Sequence, residues 1–87
     1  MKVVVKPVEM IAWFENGGNI NPVKFRIEGD NNILQVVKIG KVLKRSKEKI
    51  AGNNMFIFTC SSVVNGIEKI YELKYDVDKC KWYLFKI

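Results

Sequence analysis

Histidine is absent from the sequence, and only two cysteines and two prolines occur among its 87 residues. Histidine is the commonest general base and a frequent metal ligand, so its absence removes the usual route to acid–base catalysis and metal binding. Two cysteines are too few for a disulfide framework and, without histidine, do not make a zinc site. The sequence also has no phosphate-binding loop of the Walker type. We therefore expect a protein without enzymatic activity, metal or cofactor.

Long hydrophobic runs are also missing, since no apolar stretch approaches the length of about 20 residues that a membrane span needs. The N-terminus is charged at Lys2 and Lys6 and is interrupted by Pro7, which is unlike a signal peptide. A cytoplasmic location without membrane contact is therefore expected. In that compartment Cys60 and Cys80 are predicted to be reduced thiols.

The composition, 48% hydrophobic and 28% charged, is typical of a globular domain. The length predicts one domain, residues 1–87, with enough core to fold without disulfides or metals. β-branched and aromatic residues alternate with polar ones, and turn residues separate these runs. The pattern predicts an all-β fold of five or six antiparallel strands, either a rolled sheet or a small SH3-like or OB-like barrel.

The clearest element is a hairpin over residues 55–78, centred on the pair Asn65-Gly66. Asn tolerates and Gly freely adopts the positive φ that both central residues of a type I′ turn require. A two-residue turn fixes the register and places Phe58 opposite Leu73. Most aromatic residues then share one face, which is predicted to be core, and the acids share the other face, which is predicted to be mostly solvated.

The strand predicted over residues 33–43 has an undecided register against the strand at 23–27. Two sets of residues are candidates for its inward face: Leu34 and Val36, or Ile33, Val37 and Ile39. Gly40 predicts a bulge or a sharp bend of the kind that small barrels use to turn corners.

Three other segments allow more than one structure. Residues 2–14 predict one long strand or two strands kinked at Pro7, with a helix over 8–14 as the alternative. Residues 44–50 predict either the ragged end of a strand or one helical turn. Residues 82–87 predict a last strand, apolar on both faces, that packs against the first or second strand.

Nearly all of the net charge of +6 lies in residues 38–49. Six basic residues stand there against the single acid Glu48, a net charge of +5: Lys38, Lys41, Lys44, Arg45, Lys47 and Lys49. Clustered cations attract phosphate backbones, and Trp13 and Trp82 could stack on unpaired bases if they are exposed. The leading interpretation is a small, non-catalytic binding module for nucleic acid or another polyanion. The simpler alternative is that these lysines only protect a sheet edge from aggregation.

A protein-interaction or self-associating domain is the second interpretation. An exposed sheet edge can accept a strand from a protein partner or from another copy of the chain as a homodimer. Ile57, Val63 and Ile70 share the outward face of the central hairpin and could form an apolar contact patch.

The order Trp-Phe, then Pro-x-x-Phe-Arg, then Trp-Tyr-Leu near the C-terminus runs through much of the chain. Five segments carry this pattern: residues 11–15, 22–26, 42–60, 72–75 and 80–87. Together they resemble a family of short bacterial single-domain proteins of unknown function. The resemblance implies a stand-alone cytoplasmic β-domain, and it implies no activity and no functional residues.

Overall fold

A computed structural model describes residues 1–49 and 51–87 in full and residue 50 by its backbone alone. The chain so described forms seven β-strands: β1 (Val3–Phe14), β2 (Ile20–Glu28), β3 (Leu34–Lys38), β4 (Lys41–Ile50), β5 (Asn53–Val64), β6 (Ile67–Asp76) and β7 (Lys81–Lys86). They make one sheet in the order β3-β2-β1-β7-β6-β5-β4, and each neighbouring pair is antiparallel. The sheet curls into a half-barrel, which confirms the all-β prediction. The last strand, β7, pairs with β1, which is one of the two arrangements that the sequence predicted.

The chain has seven strands rather than five or six because the strand predicted over residues 33–43 is divided in two. The Ile39 N–H donates to Val23 O in β2, and the Gly40 N–H donates to Ser61 O in β5, both at 2.9 Å. The chain therefore passes from one edge of the sheet to the opposite edge within two residues. A Cβ on Gly40 would lie 3.0 Å from Ser61 O, so the bend predicted at this glycine depends on a close backbone approach.

The central hairpin has the predicted register. Asn65 and Gly66 have φ values of 54° and 77°, as a type I′ turn requires, and Phe58 lies opposite Leu73. Its inward face supplies much of the core on the concave side of the sheet. The buried core cluster consists of Ile20, Phe25, Phe58, Cys60, Tyr71, Leu73, Tyr75, Trp82 and Leu84.

The outward face of the hairpin is less solvated than predicted. Near its base Ile57, Lys74 and Asp76 are only 4%, 7% and 4% exposed. The Lys74 ammonium lies 3.6 Å from the centre of the Phe85 ring and 3.7 Å from Glu48 Oε2. Lys74 also lies directly opposite Ile57, where its aliphatic stem can cover an apolar neighbour. Ile57 is therefore unavailable to the apolar patch predicted with Val63 and Ile70.

The turn between β2 and β3 decides the register that the sequence left open. The Gly29 N–H donates to Ile33 O at 2.9 Å, so residues 30–32 form a three-residue loop whose last residue has φ 57°. A three-residue loop with positive φ at its end is a common hairpin connection. It places Val37 opposite Phe25, which turns Val37 toward the core and Leu34 and Val36 outward.

Both helical alternatives are wrong, because residues 8–14 belong to β1 and residues 44–50 belong to β4. Each segment gains backbone partners from neighbouring strands, and this pairing outweighs local propensity. β1 is one strand that runs through Pro7. The irregularity expected at Pro7 lies instead between Val3 and Lys6, where the register of β1 against β7 shifts.

Candidate functional site

The basic segment at 38–49 is divided between the two sides of the sheet. The register of β4 places Arg45 opposite Phe58 and Lys47 opposite Phe56, whose side chains point to the concave side. Strand alternation then defines a concave basic group and a convex basic group: Arg45, Lys47 and Lys49 in the first, and Lys38, Lys41 and Lys44 in the second. All six residues are exposed. The six predicted site residues therefore form two groups rather than one continuous patch.

Arg45 crosses the open side of the half-barrel. Its Nη1 donates to Ile20 O and its Nη2 donates to Asn21 Oδ1, so the guanidinium ties β4 to the beginning of β2. The guanidinium carbon also lies 5.6 Å from the centre of the Phe58 ring, within the range of a cation–π contact. Arg45 is thus both a member of the concave basic group and a structural tie.

A cleft of about 430 Å³ lies between the β1–β2 loop and β4, and we call it the β4 cleft. Its walls combine cations, aromatic rings and loop backbone: Gly17, Gly18, Asn19, Ile20, Arg45, Ser46, Lys47, Phe56 and Phe58. The Lys47 ammonium lies 5.3 Å from the centre of the Phe56 ring. The cleft can therefore offer an anion two cations beside an aromatic surface.

The sequence did not indicate that Phe56 and Phe58 contribute to a cleft, because both were assigned to the core. The signal that could have placed them there is the turn at Ala51-Gly52. Its φ values of 48° and 85° make a second two-residue hairpin turn, between β4 and β5. Alanine seldom adopts positive φ, so the sequence gives little sign of this turn. Counting outward from this turn sets Lys47 opposite Phe56.

The two tryptophans predicted as stacking surfaces have opposite environments. Trp13 is 69% exposed on β1, where it can contact a ligand. Trp82 is 7% exposed and stacks on Tyr75 with the ring centres 4.7 Å apart. The exposure on which its predicted stacking role depends is therefore not met, since its ring surface is covered within the core.

A buried polar chain fixes the end of β3. Tyr71 Oη lies 2.6 Å from Ser62 Oγ, and Ser62 Oγ donates to Lys38 O at 2.7 Å. The Ser62 hydroxyl has one proton and donates it to Lys38 O, so the Tyr71 hydroxyl is the donor in the bond to Ser62 Oγ. Burial raises the pKa of Tyr71 to about 12, which keeps this donor protonated across the physiological range. These two hydrogen bonds hold the backbone of Lys38 in place, while the Lys38 side chain stays exposed to solvent.

The two thiols differ in accessibility. Cys60 is fully buried, whereas Cys80 is exposed, and both are free. Burial raises the pKa of the Cys60 thiol to about 12, so very little reactive thiolate forms at neutral pH.

We expect one thiol to react with Ellman's reagent in the folded protein and both to react in denaturant. The physical reason is that Cys60 is covered and its burial keeps it protonated, whereas Cys80 is exposed to the reagent. Absorbance of the released thiolate measures the stoichiometry. Cys80→Ser provides the control, since it should abolish the native reaction, and a rapid reaction of that variant would contradict the burial of Cys60.

Among residues 1–49 and 51–87, no three Cys, Asp or Glu side chains come together in a way that could hold a metal ion. Within the same residues, no helix is long and apolar enough to cross a membrane. The carboxylate of Glu9 is engaged by Arg26 through two hydrogen bonds of 2.8 and 3.1 Å. These bonds lower the pKa of Glu9, which makes this carboxylate a weaker base than usual.

Comparisons with protein families, curated proteins and solved structures found no match to this chain. The geometry of the β4 cleft and the distribution of charge are therefore the basis for a functional proposal.

Proposed function

We propose that the protein is a small, non-catalytic module that binds a polyanion, with single-stranded nucleic acid as the leading ligand, along the β4 cleft. The supporting observation is that Arg45, Lys47 and Lys49 lie on one side of an edge strand. Two of these cations lie over the rings of Phe56 and Phe58. Charge beside aromatic surface is the usual composition of a site for single strands.

The spacing of the concave basic group suits an extended anion. Alternate residues of a strand are about 6.6 Å apart, so the three cations form a row about 13 Å long. A flexible phosphate backbone can follow such a row and release counterions at each contact. The exposed ring of Trp13, on β1, lies outside this row and is proposed only as an additional contact.

Several broader assignments belong to the same proposal. A cytoplasmic location, the absence of enzymatic activity and the relation to short bacterial proteins of unknown function are inferred from the sequence pattern. The half-barrel and the sharp passage at Gly40 support an SH3-like or OB-like small barrel.

The test is binding of a fluorescein-labelled oligothymidylate, followed by anisotropy over a series of salt concentrations. The double variant Lys47→Gln with Lys49→Gln removes two cations of the concave basic group and leaves the structural tie at Arg45 intact. We expect weaker binding at low salt and a slope of log K against log salt that is shallower by about 1.4, or about 0.7 per lost phosphate contact.

The matched control is Lys41→Gln with Lys44→Gln, which removes the same charge from the convex side. This variant should retain most of the affinity and the full salt slope. Equal losses in the two variants would contradict the β4 cleft as the site, and no binding at low salt would contradict the polyanion proposal itself. Heparin serves as a second probe, since a preference for heparin would replace nucleic acid with another polyanion.

A further inference from the structure

The two edges of the sheet differ in charge. β4 forms one edge and carries five basic residues and one acid, so two copies of β4 would repel each other. β3 forms the other edge with the sequence Leu-Gln-Val-Val-Lys, whose single charge lies at its end. Charge therefore protects β4 from pairing with its own copy and leaves β3 without that protection.

The free side of β3 presents backbone hydrogen-bonding groups. The bonds from Gly29 N–H to Ile33 O and from Ile39 N–H to Val23 O bracket the strand. Antiparallel ladders alternate bonded and non-bonded pairs, so every second residue of β3 directs its N–H and C=O away from β2. These outward residues include Leu34 and Val36, which are 52% and 62% exposed.

We propose that β3 pairs with β3 of a second copy of this chain, antiparallel and about a two-fold axis. Leu34 of each copy then lies opposite Val36 of the other, and the two pairs make four backbone hydrogen bonds. The side chains of these residues form an apolar row of four on the convex face. The two half-barrels share one continuous sheet.

Charge complementarity supports this register. The Lys38 backbone carbonyl already accepts a hydrogen bond from Ser62 Oγ within its own chain, so the ladder between the copies ends at Val36. Beyond that end, the Lys38 ammonium of one copy lies near Asp30 in the β2–β3 turn of the other, and the two-fold axis repeats this contact. Within one copy Lys38 lies directly opposite Lys24, a like-charge pair that disfavours the isolated edge. A carboxylate supplied by the second copy offsets that repulsion.

Sedimentation equilibrium over a concentration series up to about 1 mM tests the proposal, and the wild-type protein should sediment as a monomer–dimer equilibrium. Val36→Pro removes one outward N–H from each copy, and edge strands tolerate proline at such positions. Because two of the four hydrogen bonds are lost, the dimer should dissociate about 30-fold more readily. Val36→Thr keeps the N–H and should change the association by less than about threefold.

Amide hydrogen exchange of the wild-type protein gives a second measurement that does not depend on a variant folding. Exchange at Leu34 and Val36 should slow as the concentration rises, while Gln35, which bonds inward to β2, should exchange at a constant rate. A protein that stays monomeric up to about 1 mM overturns the proposal. A dimer in which Leu34 and Val36 exchange as they do in dilute solution overturns it equally, because another surface then holds the copies together.

Discussion

Replacing Trp82 with alanine should lower the free energy of unfolding by about 3–5 kcal/mol, the usual cost of removing a large aromatic side chain from a core. The indole is 7% exposed, stacks on Tyr75 at 4.7 Å and lies 5.4 Å from Phe58, measured between ring centres. Its removal leaves a cavity between strands β5, β6 and β7. A domain of this kind has about 5–15 kcal/mol of stability in total, so much of it would be lost.

Urea denaturation followed by circular dichroism measures this change, and Trp13→Ala is the matched control. Trp13 is 69% exposed, so its replacement should alter the free energy of unfolding by less than about 0.5 kcal/mol. Similar losses in the two variants would contradict the different environments of the two indoles. The pair also separates a structural tryptophan from one that is free to contact a ligand.

Replacing Arg45 with alanine should lower the free energy of unfolding by about 2 kcal/mol, since hydrogen bonds from a charged group contribute about 1.5–3 kcal/mol and this group is partly solvated. The guanidinium donates to Ile20 O and Asn21 Oδ1 and lies over the ring of Phe58. No other side-chain hydrogen bond identified among residues 1–49 and 51–87 joins β4 to β2. Its loss should loosen the open side of the half-barrel.

Two variants, Arg45→Lys and Lys47→Ala, separate the effect of the Arg45 hydrogen bonds from the effect of positive charge alone. Lysine keeps the charge but not the planar fork of donors, so Arg45→Lys should recover less than half of the lost stability. Lys47 is exposed with its ammonium over the ring of Phe56, so its replacement should cost about 0.5 kcal/mol or less. Full recovery in Arg45→Lys would show that charge alone matters. For the same reason, a binding experiment that alters Arg45 would combine a change of fold with a change of affinity.

The fold could be predicted from the sequence wherever a short segment sets its own geometry. Asn65-Gly66 specifies a turn by φ preference alone, and counting outward from it gave the correct pairs from Val64 with Ile67 to Phe56 with Tyr75. Where the turn residues were ambiguous, as at Ala51-Gly52, the same counting could not begin. The sequence therefore leaves residues 44–50 open between a strand and a helical turn, and pairing with β5 decides for the strand.

Only part of the candidate site could be predicted from the sequence. Composition located the charge in residues 38–49, but strand alternation across an unrecognised bulge between Val42 and Lys44 decided which side each cation occupies. The burial of Trp82 could not be predicted from its neighbours in sequence, because a strand that is apolar on both faces does not mark which face is covered. Its environment comes from Tyr75 and Phe58, which are adjacent only after β5, β6 and β7 pair.

The sequence by itself determined the all-β class, the central hairpin with its register, the bend at Gly40 and the concentration of positive charge in one segment. These properties follow from backbone preferences and alternation over a few residues. Only the tertiary structure decided the passage from the β3 edge to the β4 edge, the division of the basic segment into two groups and the tie made by Arg45. The passage and the tie depend on hydrogen bonds between residues more than 20 positions apart, Gly40 with Ser61 and Arg45 with Ile20, which the curl of the whole sheet brings together. The division of the basic segment depends on the pairing of β4 with β5 across the bulge between Val42 and Lys44.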